Sequence, residues 1–338
     1  MRKISKENRL LNSFKGIFCL LVVFIHVPFP GVVGQQLARL GNISVPFFFL
    51  ISGWYSYYKN KNKEFTTKIV CKIKNILLLL LKSLSIYAIL TMFLHVKNGS
   101  LAEWWNSFFN AKGLFKIFVM NNFSFIDLGE ESWLIEILWF LPALIYCYLL
   151  LWLLVVCKGQ VFGCILIPIL LACRLVVMGS RANINWHYYN NFLLTGMPFV
   201  LLGYYLAINK ERILSKKLLA INVFLLISGS LIVINKGGRD GYIGVIMVSI
   251  AVLCIAQLYP HRYIPVLETV GKKMSFEIYV GHVFWIWIIN TIVDNSSDLK
   301  HNLNYLYLKP ILVVALTVLG IGLKGYLYKK NVRYIDMQ

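Results

Sequence analysis

The chain is short of charge, and above all of acid. Only 14% of its 338 residues are charged, with 14 Asp and Glu against 34 Lys and Arg, for a net charge of +20. A soluble domain of this size carries about a quarter charged residues. Paired cysteines are missing too. The chain holds Cys19, Cys71, Cys147, Cys157, Cys164, Cys173 and Cys254 without one CxxC pair, which argues against a disulfide framework or a zinc site. No small-residue cleavage site follows the first apolar run, so that run reads as a retained helix and not a cleaved signal. No internal repeat is visible, which argues against a repeat-built transporter. No stretch has the composition of a separate soluble domain, so a single domain over 1–338 is expected.

What the chain has in abundance is apolar sequence. Hydrophobic residues make up 59% of it, and the mean hydropathy is +0.69. They come in long blocks rather than one-faced stripes, which is how membrane spans read. The blocks fall at 14–33 (interrupted at Pro28), 43–58, 69–94, 133–157, 160–178, 192–208, 218–235, 242–259, 275–293 and 303–328. Ten crossings with a cytoplasmic N-terminus put most lysines and arginines on one side, among them the Lys59–Lys74 and Lys210–Lys217 groups. Most acidic loop residues then fall on the other side. This asymmetry is what the positive-inside rule requires. The expected fold is therefore all-α and polytopic, about ten transmembrane helices with both termini cytoplasmic. The bilayer explains the positive charge, and no nucleic-acid partner is needed. Between the spans, 95–132 contains Trp104-Trp105, Phe108-Phe109 and Phe123-Ser124-Phe125, an aromatic pattern suited to the headgroup region.

Ionisable residues inside such spans mark function, because they are costly to keep there. His26 lies eleven residues past Lys15, about 16 Å along a helix, and His282 nine residues past Lys273, about 14 Å. Both are thus expected near the midplane. Lys82, Arg174 and Glu136 also fall within spans. Arg174 and Glu136 have the option of pairing with each other, and Lys82 of snorkelling to the cytoplasmic face. Pro28 and Pro30 remove backbone donors just after His26, and Gly31 adds freedom. Non-helical backbone at this depth survives only beside protein or water, so the segment is expected to line a cavity.

Four stretches, in this order, carry a family resemblance. The first is Arg9 and Lys15-Gly16 followed by Val22-Val23-Phe24-Ile25-His26. The second is Val45-Pro46-Phe47-Phe48-Phe49-Leu50-Ile51-Ser52-Gly53-Trp54. The third is Leu138-Trp139-Phe140-Leu141-Pro142-Ala143-Leu144, and the fourth runs from Lys273-Met274-Ser275 through Tyr279 to His282. The ordered set resembles the integral-membrane acyltransferases of the acyltransferase 3 type, which O-acylate cell-envelope glycans. The resemblance spans essentially the whole chain. It implies transfer of an acyl group, usually acetyl from cytoplasmic acetyl-CoA, to a sugar hydroxyl. It also implies a multi-pass protein of a bacterial plasma membrane, without a metal, with the envelope-polysaccharide synthesis machinery as a partner. His26 matches the family's catalytic histidine, and His282 is the second catalytic candidate. Arg9, Lys68, Lys72 and Lys74 are the candidates for the donor. Ser52, Trp139, Tyr279, Glu136 and Arg174 are the candidates for the substrate cavity.

The chain departs from the family in three places. Lys68, Lys72 and Lys74 stand where relatives often carry paired arginines, and lysine lacks the bidentate fork. Asn42 stands where many relatives have arginine before the Val-Pro-Phe-Phe run, the nearest arginine being Arg39. An appended extracytoplasmic hydrolase-like domain, present in some relatives, is not expected here.

The chemistry leaves alternatives open. His26 is suited to take the proton of a sugar hydroxyl as a general base, or to carry the acyl group as a relay. His282 is placed to orient His26, to stabilise an oxyanion, or to do neither. A transporter or binding module for a small solute such as an amino acid also suits buried ionisable groups. A scaffold for envelope synthesis would make every intramembrane histidine dispensable.

Overall fold

The computed structural model describes residues 7–58, 62–97, 99–108, 137–179, 188–294 and 302–335. Most of these are helical, with no strand among them. The order is α1 (Arg9–His26), α2 (Gly31–Gly41), α3 (Ser44–Trp54), α4 (Asn62–Lys97), α5 (Leu101–Phe108), α6 (Phe140–Val156), α7 (Gln160–Gly179), α8 (Met197–Ile208), α9 (Leu219–Lys236), α10 (Gly238–Leu258), α11 (Pro265–Lys273), α12 (Ser275–Asp294) and α13 (Leu303–Ile335). A π-helical turn, Phe192–Gly196, leads into α8. Each of the ten apolar runs of the sequence contains a helix. Among the described residues, six helices are long and apolar enough to cross a membrane: Arg9–His26, Gly31–Trp54, Gln160–Gly179, Lys216–Lys236, Gly238–Leu258 and Leu303–Gly322. Phe140–Val156 and Phe192–Ile208 are shorter apolar helices. The chain is an all-helical polytopic membrane protein.

One boundary agrees with the sequence reading and one differs. The first run, read as 14–33 with an interruption at Pro28, is broken there. The amide of Val27 still bonds Val23, at 2.9 Å, but Pro28 has no amide to give and α1 ends at His26. The chain then turns at Gly31, whose φ of +77° lies where only glycine sits without strain, and α2 begins at once. The second crossing thus starts near Gly31, twelve residues before the apolar run at 43, as α2 and α3 together. Gly34 and Arg39 masked this start, because the hydrophobic pattern is diluted there.

The chain forms two compact units, one from 1–44 with 214–338 and the other from 45–213. In the first, α1 begins under a cap from Asn8, whose side chain accepts from the Leu11 amide at 2.9 Å and donates to the Ala256 carbonyl at 2.9 Å. Short, polar α11 packs on the lower half of α1. A Cβ on Gly16 would lie 2.2 Å from the Leu267 carbonyl oxygen, and one on Gly271 only 1.9 Å from that of Asn12. The helices therefore touch backbone to backbone. Charges fasten the same seam: Lys272 donates to Glu7 at 2.7 Å, and Arg9 lies 3.1 Å over the Tyr263 ring and 3.8 Å from Glu268. Lys272 holds the Glu7 carboxyl below its usual range, and Glu7 in turn raises the Lys272 ammonium. Arg39 of α2 donates to the carbonyls of Ile234 and Asn235 at 2.7 and 3.2 Å. These end α9, where a cation complements the helix dipole.

The second unit is built around α3. Phe47, Phe49 and Leu50 have 0% exposure. Helices α3 and α8 cross at two glycines. A Cβ on Gly53 would meet the Val200 carbonyl oxygen at 2.0 Å, and one on Gly203 that of Leu50 at 1.9 Å. Small residues allow this approach where lipid supplies no hydrophobic drive between helices.

Candidate active site

In the first unit, one weak contact marks the register of α1 and α12. The Cys19 thiol donates to the Ser275 carbonyl at 3.6 Å, joining residues 256 apart in sequence. His26 is seven residues beyond Cys19, and His282 seven residues beyond Ser275. Seven residues are two helical turns and about 10 Å of rise, so both side chains come to the same level on facing sides of parallel helices. The two rings accordingly meet, centroids 5.3 Å apart and planes inclined by 39°. The sequence brought both histidines to similar depth, and the fold brings them together.

Their environments differ. His26 closes α1 and is exposed. The end of α1 turns its carbonyl pole toward the ring, which favours positive charge developing there. His282 is fully buried, with 0% exposure. Its Nδ1 lies 2.7 Å from the Ile278 carbonyl oxygen. Tyr279, one turn below on α12, is half-buried, its ring 6.5 Å from that of Phe276.

The four basic candidates for the donor are not equivalent. Arg9 is committed to Tyr263 and Glu268. In the second unit, Lys68 pairs with Glu64 at 2.6 Å and sits 3.9 Å over the Tyr58 ring. Lys72 donates to the Tyr55 carbonyl at 2.8 Å and to the Ser56 hydroxyl at 2.9 Å, closing the C-terminal end of α3. Lys74 is exposed. Lys72 is also the centre of a polar group that the sequence did not single out. The Ser56 hydroxyl donates to the Ser52 carbonyl at 2.7 Å, and the Lys72 ammonium is 5.2 Å from the Tyr148 ring. Ser52 and Ser56 lie one turn apart, and that spacing was the available signal. Tyr148, on α6 inside an apolar run, gave none.

The remaining cavity candidates scatter. Trp139 is buried against Phe49, ring centroids 6.2 Å apart. Ser52 also donates to the Phe48 carbonyl at 2.7 Å. Arg174 of α7 is buried and donates to the Tyr189 carbonyl, the Thr195 hydroxyl and, at 2.9 Å, the Asn190 side-chain oxygen. It also faces the Tyr189 ring at 5.1 Å. Arg174 thus anchors the loop before α8. Glu136, its partner in one sequence reading, lies outside the described residues, as does most of 95–132. Lys82 of α4 is exposed.

A family model described as an acyltransferase domain matches residues 8–329, which takes in both units and the two histidines. No curated protein and no solved structure matches the chain.

Proposed function

Because the chain belongs to this acyltransferase family, we propose that it is a membrane O-acyltransferase that moves an acyl group, acetyl by preference, from cytoplasmic acyl-CoA to a hydroxyl of a cell-envelope or exported glycan. The observation that carries the reading is His26: an exposed imidazole at the broken end of an apolar helix, backed by a second, buried imidazole 5.3 Å away.

The proposed reaction needs one base and no redox chemistry. The free nitrogen of His26 takes the proton of the glycan hydroxyl as its oxygen attacks the thioester carbonyl. The carbon–sulfur bond breaks, and the departing thiolate takes the proton from the His26 imidazolium. Ester and free thiol are released, and His26 is neutral again. The carbonyl pole of α1 stabilises the imidazolium in between. The donor's phosphates are drawn by the basic cytoplasmic surface as a whole, and of the lysines at 68, 72 and 74 only Lys74 is fully outside the contacts that hold Lys68 to Glu64 and Lys72 to the end of α3. The acceptor, the acyl-CoA donor and a bacterial plasma-membrane location belong to this proposal.

The test is transfer of radiolabelled acetyl from acetyl-CoA to envelope glycan, in membranes holding equal amounts of the native protein and His26→Ala. The variant is expected to lose about 100-fold or more of the rate, as removal of a positioned base does. Transfer by a folded His26→Ala protein at the native rate would refute the role of His26.

A further inference from the structure

His282 has one polar atom with nowhere to go. Its Nδ1 lies 2.7 Å from the Ile278 carbonyl oxygen. A carbonyl only accepts, so Nδ1 carries the hydrogen, and in the neutral ring Nε2 holds a bare lone pair. That Nε2 is buried and has no hydrogen-bond partner among the described residues. Buried acceptors are rarely left so. On α12, Ile278 and Val283 are each 1% exposed or less, and buried Thr317 of α13, beside Gly281, donates its hydroxyl to the Val313 carbonyl.

The neighbouring polar ring is His26. A ring nitrogen lies about 1.1 Å from its centroid, so at 5.3 Å between centroids two nitrogens that faced each other would stand about 3 Å apart, within hydrogen-bond range. The rings are not so aligned here, and a turn of the His26 ring about its Cβ–Cγ bond would bring one of its nitrogens toward Nε2. We infer that His282 is a positioning residue for His26: its Nε2 accepts an N–H from His26 and so fixes which His26 nitrogen is left bare toward the acceptor hydroxyl. The inference rests on the proposed role of His26 as base.

The consequence follows from counting protons. A neutral imidazole has one N–H and one lone pair. With its N–H held by Nε2, His26 presents its lone pair outward in every molecule, where an unheld ring would divide its time between two tautomers and several orientations. When His26 accepts the acceptor's proton, the bond to Nε2 becomes charge-assisted and tightens. His282 gains and loses no proton in the cycle. This arrangement favours the general-base route, because the inner nitrogen is occupied throughout.

The test is made first on the unmodified sequence. Protein labelled with 15N-histidine is reconstituted in nanodiscs, and its imidazole nitrogens are resolved by NMR. His282 is expected as the Nδ1–H tautomer, with a nitrogen–nitrogen coupling through the hydrogen bond to His26 that vanishes in His26→Ala. A protonated Nε2 on His282, or no coupling between the rings, overturns the inference while leaving the acyltransferase proposal untouched. Kinetics supply the second arm. His282→Leu fills the space without an acceptor, and His282→Gln restores an acceptor oxygen near the Nε2 position. Leu is expected to lower kcat about 100-fold with the donor KM within about threefold, and Gln to recover at least about tenfold of that loss. Equal loss in both variants, or an effect on KM alone, overturns the inference. If the variants fail to fold, the NMR arm decides alone. If the native protein transfers no acyl group, that arm still reports on the pair.

Discussion

Gly271→Ala is a small change that should have a large effect. The added Cβ would lie 1.9 Å from the Asn12 carbonyl oxygen and 2.6 Å from the Gly16 amide nitrogen. Ordinary contact begins at 3.4 Å, so α11 must withdraw from α1 by about 1.5 Å, and the obstacle is backbone that cannot swing aside. Withdrawal also loosens the Arg9–Glu268 and Lys272–Glu7 contacts across the same seam. Overpacking of this kind costs about 2 kcal/mol, and up to about 3 when the backbone must move. For a unit of this size that lowers the melting temperature by about 4–8 °C. The natural control is Gly322→Ala, since nothing lies within 4 Å of a Cβ at Gly322. There, alanine's better helix propensity should be neutral or stabilising by up to about 1 kcal/mol. The assay is thermal unfolding of both variants in the same detergent. Native melting for Gly271→Ala, or equal loss in both, would refute the backbone-to-backbone seam.

Three further outcomes follow. Arg174→Met strands the acceptors at Tyr189, Thr195 and Asn190 and should cost about 3 kcal/mol in unfolding measurements, with Arg174→Lys a poor substitute because lysine lacks the planar fork. Lys72→Gln should lower the melting temperature by opening the end of α3, whereas Lys74→Gln should raise the donor KM with little change in melting; the reverse pattern would move the donor contact to Lys72. The Glu7–Lys272 pair should stabilise at neutral pH and fade on both sides. Glu7 is lowered from 4.5, so its contribution is present above that pH and lost as pH falls through the folded value. Lys272 is raised from 10.5, so its share is lost only as pH rises above that. The melting difference between native protein and Lys272→Met should therefore shrink in acid, and a constant difference from pH 7 to pH 3 would contradict the pairing.

The sequence was most readable where chemistry and chain direction coincide. Pro28 and Pro30 announced the break after His26, because a missing amide ends a helix wherever the helix lies. Long apolar blocks announced helices for the same local reason. The approach of His26 to His282 was half visible: two similar depths suggested it, but depth says nothing about which faces of two helices meet. That came from the Cys19–Ser275 contact, between two residues with no individual signal. Lys72 carried information the sequence does not hold. It was read as a candidate for the donor, and in the fold its ammonium also closes the end of a neighbouring helix, a contact set by tertiary packing. The α1–α11 seam was unreadable, since glycines at Gly16 and Gly271 gain meaning only once their partners are known.

The register contact between α1 and α12 joins residues 256 positions apart, and this bears on how the protein is made. At about 5–20 residues per second of synthesis, His26 emerges and inserts roughly 13–50 s before His282 exists. Throughout that interval the nascent chain holds an exposed imidazole whose inner partner has not been translated. The unit formed by 45–213 is made without interruption within the same interval. Any message cut short before α12 therefore yields a membrane-inserted protein that carries His26 but lacks His282.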